Sequence, residues 1–427
     1  MSAVLWANKP ALNDAVMEFL AGEDARLDAV LLPYDLLGTR AHVRALALRE
    51  LLPADDTQAL TKAIDALLEQ ARAGRLAIPT GTEDGHTAIE LALTERLGEL
   101  GKRVHLGRSR NDQVLTALRL YMLDMLRKLA VRSRSAGRTA LELASRFELT
   151  PMPGYTHMQR AVPSTIGLWM ASFAEAFADD ADCCDLTINW LNSCPLGTAA
   201  GYGVNLPLAR DEAARELRFG RVQINPMYAQ ASRGKFELQA LTAAWQIAQT
   251  MRRLAWDIVL FSTAEFGFVA CDSALTTGSS IMPNKRNPDV AELLRTCAPA
   301  LAGAMNEIQQ IIALPSGYHR DLQATKPPLM RGLQTATAAI GLVPQLLASL
   351  HFDEGRMLAA IDGPMFATDR AVELACQGVP FRDAHHAVHA QLDQLENADP
   401  VQSIAARTSP GACADLRLDE LRERLSK

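Results

Sequence analysis

The sequence predicts an all-α protein built around a bundle of unusually long central helices. Two observations carry this. Several long segments place apolar residues three and four positions apart, the repeat that lines one face of an α-helix. Alternating strand-like runs are scarce, and Gly and Pro gather into short stretches between the periodic segments. Of the 427 residues, 48% are hydrophobic, enough for a large core and incompatible with global disorder.

The elements follow in order. Val114 to Phe147 and Ser164 to Leu191 are richer in Ala, Leu, Met and Arg than in β-branched residues, as helices prefer. From Lys235 to Phe261 the apolar line runs Leu238, Leu241, Trp245, Ala248, Met251, Ala255 and Ile258. From Asp289 to Ile312 it runs Val290, Leu293, Cys297, Leu301, Met305, Ile308 and Ile312, with Pro299 expected to bend the helix. Gly332 to Phe352 carries no charge, but Gln334, Thr335, Thr337, Pro344 and Gln345 make it a buried core helix rather than a membrane span. A first domain is expected over residues 1–107, a central long-helix domain over 108–354 and a small helical domain over 355–427.

Composition narrows the function. A net charge of −6 leaves no basic excess to neutralise phosphates, so a nucleic-acid partner is not expected. Seven cysteines without a C-x-x-C pair read as reduced thiols of a cytoplasmic protein. The opening "MSAVLWANKPALND" lacks a basic region followed by an apolar run, so no secretory signal is expected.

The stretches between helices hold the groups that could do chemistry. "TGSSIMPNKRNP" (Thr277 to Pro288) sets Ser279, Ser280, Lys285 and Asn287 beside Gly278, donors and a cation suited to an anion. A polar turn stopped by two prolines is the plain alternative. "GRSRND" (Gly107 to Asp112) offers Ser109, Arg110 and Asn111 at a helix start, either a carboxylate site or simply a capped terminus. "GYTHMQR" (Gly154 to Arg160) holds His157 between Thr156 and Gln159, an acid–base candidate. "SGYHRDLQATK" adds Tyr318, Arg320, Gln323 and Lys326. Cations and amide donors drawn from distant segments suit a polycarboxylate. No phosphate loop, dinucleotide turn or H-E-x-x-H is present. His385, His386 and His389 lack a supporting carboxylate or Cys pattern, so no metal is assigned to them.

"GSSIMPNKRNPD" resembles the signature of the fumarase/aspartase superfamily, whose members eliminate a group β to a carboxylate. "HLGRSRNDQV", "MPGYTHMQRAVP", "EDGHTAIE", "YHRDLQATK" and "FATDRAVELACQGVPFRDAH" are similar to the argininosuccinate lyase family, and the likeness spans nearly the whole chain. The resemblance implies cleavage of argininosuccinate to arginine and fumarate through an aci-carboxylate intermediate, with no cofactor or metal. It implies that Ser279 and His157 share the proton transfers, in either order. Glu292 would polarise His157, and Lys285 with Asn287 would stabilise the intermediate. Ser109, Arg110, Asn111 and Thr156 would hold the succinate carboxylates, and Tyr318, Gln323 and Lys326 the arginine end, with Gln159 and His86 as further candidates. It further implies a homotetramer cored by the long helices, each active site drawing on three subunits.

Two departures stand out. Where the family has a substrate-binding Ser in an F-x-x-S-like segment, "EFLAGEDARLD" offers only Gly22 or Asp24, and no role is transferred. The usual P-I-D-R reads Pro207-Leu-Ala-Arg210. A related lyase acting on a modified argininosuccinate and a non-catalytic protein of the same fold are the alternatives.

Overall fold

The structure, a computed structural model, describes residues 14–79 and 82–427. Most of the opening segment read for a secretory signal lies outside these residues, as do Thr80 and Gly81 of the loop before His86.

The fold is mostly helical, and its longest helices lie where the apolar repeat placed them. They span Arg110–Arg146 (37 residues), Ile166–Leu191 (26), Lys235–Phe261 (27) and Lys326–Ala348 (23). The last absorbs Pro344 within its length and hands over to a short strand, Leu350–Phe352. No helix among the described residues is long and apolar enough to cross a membrane.

One expected helix is instead two. Asp289–Leu294 stops, and a second helix runs Cys297–Ile311. Pro299 does not bend a continuous helix; it sits in the first turn of the second one. Its ring would clash with the carbonyl four residues back and its nitrogen cannot donate, so the interruption falls on the N-terminal side of the proline.

The described residues form two compact units. The first comprises the described part of Met1–Lys128 with Cys184–Ala244 and Leu301–Gln334; the second comprises Leu129–Cys183, Trp245–Ala300 and Thr335–Lys427. In the first, helices Asp24–Ala47, Ala54–Arg72 and Gly85–Leu97 enclose a core of Leu32, Leu36, Leu46, Leu60, Ile64, Leu67 and Leu93. In the second, Tyr155, Phe261, Phe266 and Phe268 form edge-on and tilted ring pairs with centroids 5.4–6.1 Å apart. Strands are few and short. The longest pair, Pro151–Thr156 and Gln159–Thr165, is an antiparallel hairpin.

Candidate active site

The "GRSRND" turn is a capped helix start that also arms a cleft. Ser109 precedes the helix, its Oγ accepting from the Asn111 amide (3.3 Å), while Asp112 reaches back to the Ser109 amide (3.0 Å). This reciprocal arrangement satisfies amides that a helix start leaves without partners. Asp112, fully buried, also accepts from the amides of Gly197 (2.9 Å) and Ala199 (3.1 Å), fastening a distant glycine-rich turn to the same helix. Arg108 turns inward to Thr39 (3.0 Å). Arg110 is held by Glu83 (2.6 Å), Asp84 (2.9 Å) and Thr87 (2.9 Å).

A cleft of about 160 Å³ opens beside these groups. Seven residues singled out in the sequence line it: His86, Arg110, Asn111, Tyr318, Arg320, Gln323 and Lys326. They come from three segments that lie far apart in the chain. Gln323 donates to the Leu20 carbonyl (3.0 Å), and buried Lys326 pairs with Asp28 (2.6 Å) and Asp24 (2.9 Å). Ser109 stands at the head of the same helix without lining the cleft.

The electrostatics of the cleft come from paired charges in a partly dry setting. Burial alone would lower the His86 pKa. The Asp35 carboxylate hydrogen-bonded to Nδ1, with the fields of Asp84 and Asp28, instead raises it to about 8, so the ring is cationic at neutral pH. Burial pushes Asp84 upward, but His86, Arg110 and the Thr87 donors outweigh it and hold the carboxyl below its usual range. Burial, assisted by Asp28, raises Asp24 against the pull of Lys326.

Sequence reasoning did not select Asp24, Asp28, Glu83, Asp84 or Arg233, all of which line the cleft. A signal was present for some of them. Asp28 and Asp35 fall on the buried face of helix Asp24–Ala47 among Leu27, Leu31, Leu32 and Leu36. Carboxylates inside an apolar stripe require partners, and those partners mark a polar site.

The remaining candidates lie in the second unit, on two hairpin-like supports. His157 is at the tip of the Pro151–Thr165 hairpin. His157 and Met158 have φ of 53° and 61°, the two-residue turn with positive φ at both positions, closed by the Thr156–Gln159 pair. Two non-glycine residues in the left-handed region are costly and hold the ring out from the strands. Thr156, His157 and Gln159 are exposed. Below the tip, Arg160 is anchored to Asp362 (2.7 Å).

The segment 277–288 is a loop whose base is pinned by antiparallel pairing of Thr277–Gly278 with Arg286–Asn287 and by a Thr277–Asp289 hydrogen bond. Ser279 Oγ accepts from the amides of Met282 (3.0 Å) and Ile281 (3.3 Å). Lys285 is exposed, Asn287 half-buried, and Glu292 pairs with Arg295 (3.4 Å). Among the described residues, no hydrogen bond or ion pair joins His157 to Ser279, Lys285, Asn287 or Glu292. His385 and His389 stack on an exposed helix face with ring centroids 6.3 Å apart, and no group of three or more His, Cys, Asp or Glu among the described residues is arranged to hold a metal.

A lyase family model matches residues 13–303. The chain is 51% identical to the argininosuccinate lyase of Sorangium cellulosum (strain So ce56), an alignment covering all of this chain and 99% of that protein. It is 49% identical to the argininosuccinate lyase of Stenotrophomonas maltophilia (strain R551-3), covering 99% of each. Among solved structures, EDDS lyase in complex with formate aligns with a TM-score of 0.79 at 24% identity, covering 96% of this chain and 90% of that one. Class II fumarase from Schistosoma mansoni aligns with a TM-score of 0.71 at 16% identity, covering 90% and 94%. At such identities the structures speak for the fold, while the full-length relatives speak for the family. The chain belongs to the argininosuccinate lyase family of the fumarase/aspartase superfamily.

Proposed function

We propose that this chain cleaves argininosuccinate to L-arginine and fumarate by reversible β-elimination, and that it does so in the cytoplasm. The observation that carries the reading is the cleft. Its arginine, lysine and cationic histidine are interleaved with carboxylates, which suits a ligand bearing both charge signs rather than a simple anion. Identity near one half with argininosuccinate lyases over the full chain supports the same substrate.

In this reading Ser109, Arg110, Asn111 and Thr156 take the succinate carboxylates, while Tyr318, Gln323 and Lys326 hold the arginine end, with His86 and Gln159 as further contacts. The proton removed is weakly acidic, so the chain must stabilise the dianionic aci-carboxylate as it forms. Lys285 and Asn287 supply that charge and hydrogen bonding. Ser279 and His157 divide the proton transfers, and Glu292 orients the histidine. The two amides directed at Ser279 Oγ favour its ionised form, which supports Ser279 as the base and His157 as the donor to the leaving guanidinium.

The site is completed in a homotetramer cored by the long helices, each active site taking segments from three subunits. The three-part organisation over 1–107, 108–354 and 355–427 belongs to the same proposal.

The test is fumarate release from argininosuccinate, followed by ultraviolet absorbance without added metal, with adenylosuccinate in parallel. Fumarate from argininosuccinate alone is expected. No fumarate from it, at a protein concentration where the oligomer is intact, overturns the reading.

A further inference from the structure

A second cavity, of about 630 Å³, opens in the first unit, and no described residue lines both it and the cleft above. Helices Asp24–Ala47, Arg110–Arg146 and Lys326–Ala348 contribute to each, joined here by the end of Ala54–Arg72.

Its polar groups are only partly used. Tyr34 donates to Asp124 (2.6 Å) and Lys128 pairs with it (2.8 Å), and both contacts fall on Oδ2. The other oxygen, Oδ1, accepts no hydrogen bond among the described residues. Burial raises the Asp124 pKa, but the hydrogen bonds from Lys128 and Tyr34 outweigh it and hold the carboxyl below its usual range. The group is therefore an anion at neutral pH. Pro33 stands inside helix Asp24–Ala47 and brings no N–H to the Ala29 carbonyl, and both residues line the cavity. Tyr121, 2% exposed, packs edge-on against Tyr34 with ring centroids 5.8 Å apart. Its hydroxyl completes no hydrogen bond among the described residues, although the Gln334 side chain lies beside it.

Water can satisfy such groups one at a time. What selects an organic ligand is their arrangement. The acceptors share the cavity with two cations, Lys128 and Arg72, and with an apolar wall of Val30, Leu37 and Met125. The Lys128 and Arg72 side chains are 52% and 56% exposed, so both are free to turn toward a bound anion. An ammonium alone would be repelled by Lys128, and a carboxylate alone by Asp124. A molecule with both charges on one carbon and a hydrocarbon side chain answers each part. We propose that this cavity binds an α-amino acid with an apolar side chain, its ammonium on Asp124 and the Ala29 carbonyl and its carboxylate on Lys128 and Arg72.

Calorimetric titration of the full-length protein tests this with L-leucine, isocaproate and isoamylamine, which share one hydrocarbon body. L-Leucine is expected to bind at one site per chain. Isocaproate lacks the ammonium and isoamylamine the carboxylate, and each is expected to bind at least about tenfold more weakly, the usual effect of one charge-assisted hydrogen bond. In Asp124→Asn the affinity for L-leucine is expected to fall about tenfold. Val30 is 41% exposed, so Val30→Trp fills the cavity from its edge, leaves Asp124 intact and is expected to abolish binding. No binding of L-leucine to wild type overturns the proposal, as does equal binding of the three compounds. So does unchanged affinity in Asp124→Asn or, should that variant not fold, in Val30→Trp.

Discussion

Replacing Asp35 by Asn should weaken the pH dependence that His86 gives to stability. The His86 and Asp35 side chains are 11% and 4% exposed and are hydrogen-bonded through Nδ1. Burial disfavours the imidazolium, but Asp35 overrides it, and the folded-state pKa rises from 6.5 to about 8. A histidine with a raised folded pKa stabilises the fold fully below its unfolded pKa of 6.5 and loses that contribution as pH climbs through about 8. The shift corresponds to about 2 kcal/mol. Asparagine removes the largest counter-charge and leaves the burial, opposed only by the fields of Asp84 and Asp28. The folded-state pKa of His86 then falls, and the stability it contributes at low pH shrinks with it. The assay is equilibrium unfolding by urea at pH 6 and pH 9 for both proteins. Comparing the two pH differences cancels groups common to both. Wild type should lose more than the variant across this interval, by up to about 2 kcal/mol. Equal pH differences would refute the claim that Asp35 holds a proton on His86.

Three further outcomes follow from the same geometry. Lys326→Met leaves Asp24 and Asp28 without their shared cation and should lower stability by about 3–5 kcal/mol, read as a fall in melting temperature. Asp112→Ala strands the amides of Ser109, Gly197 and Ala199 and should cost on the order of 3 kcal/mol in chemical unfolding. Ser279→Ala should lower kcat on argininosuccinate by on the order of a thousandfold while leaving the melting temperature unchanged, since that hydroxyl binds only amides of its own exposed loop.

The long helices were legible because periodicity is local: apolar residues on one face need only one another's spacing to declare a helix. Misreadings arose where a single residue acts on its surroundings. Pro299 was read as a bend, but the carbonyl four residues back forced a restart at Cys297. His157 does stand in a turn, but the paired strands that carry it are not legible, because Thr-His-Met-Gln has none of the Asn-Gly or Asp-Gly chemistry of a tight hairpin. Strand pairing on both sides imposes the positive φ at His157 and Met158, at a cost that pattern alone does not reveal.

The candidate site divides in the same way. The segments around Ser279, His157, Arg110 and Lys326 announced themselves by residue type, since anion chemistry needs cations, hydroxyls and amides wherever they are placed. Which charges meet was not readable. Lys326 and Asp28 are separated by 298 positions and pair at 2.6 Å. By itself the sequence determined where the longest helices lie, which side chains are candidates for chemistry and the family signature, because these depend on neighbours along the chain. Only the tertiary structure decided that Asp24 and Asp28 share one lysine and that Asp35 keeps His86 charged. Those facts depend on desolvation and on distances of a few ångströms between groups that the chain keeps far apart.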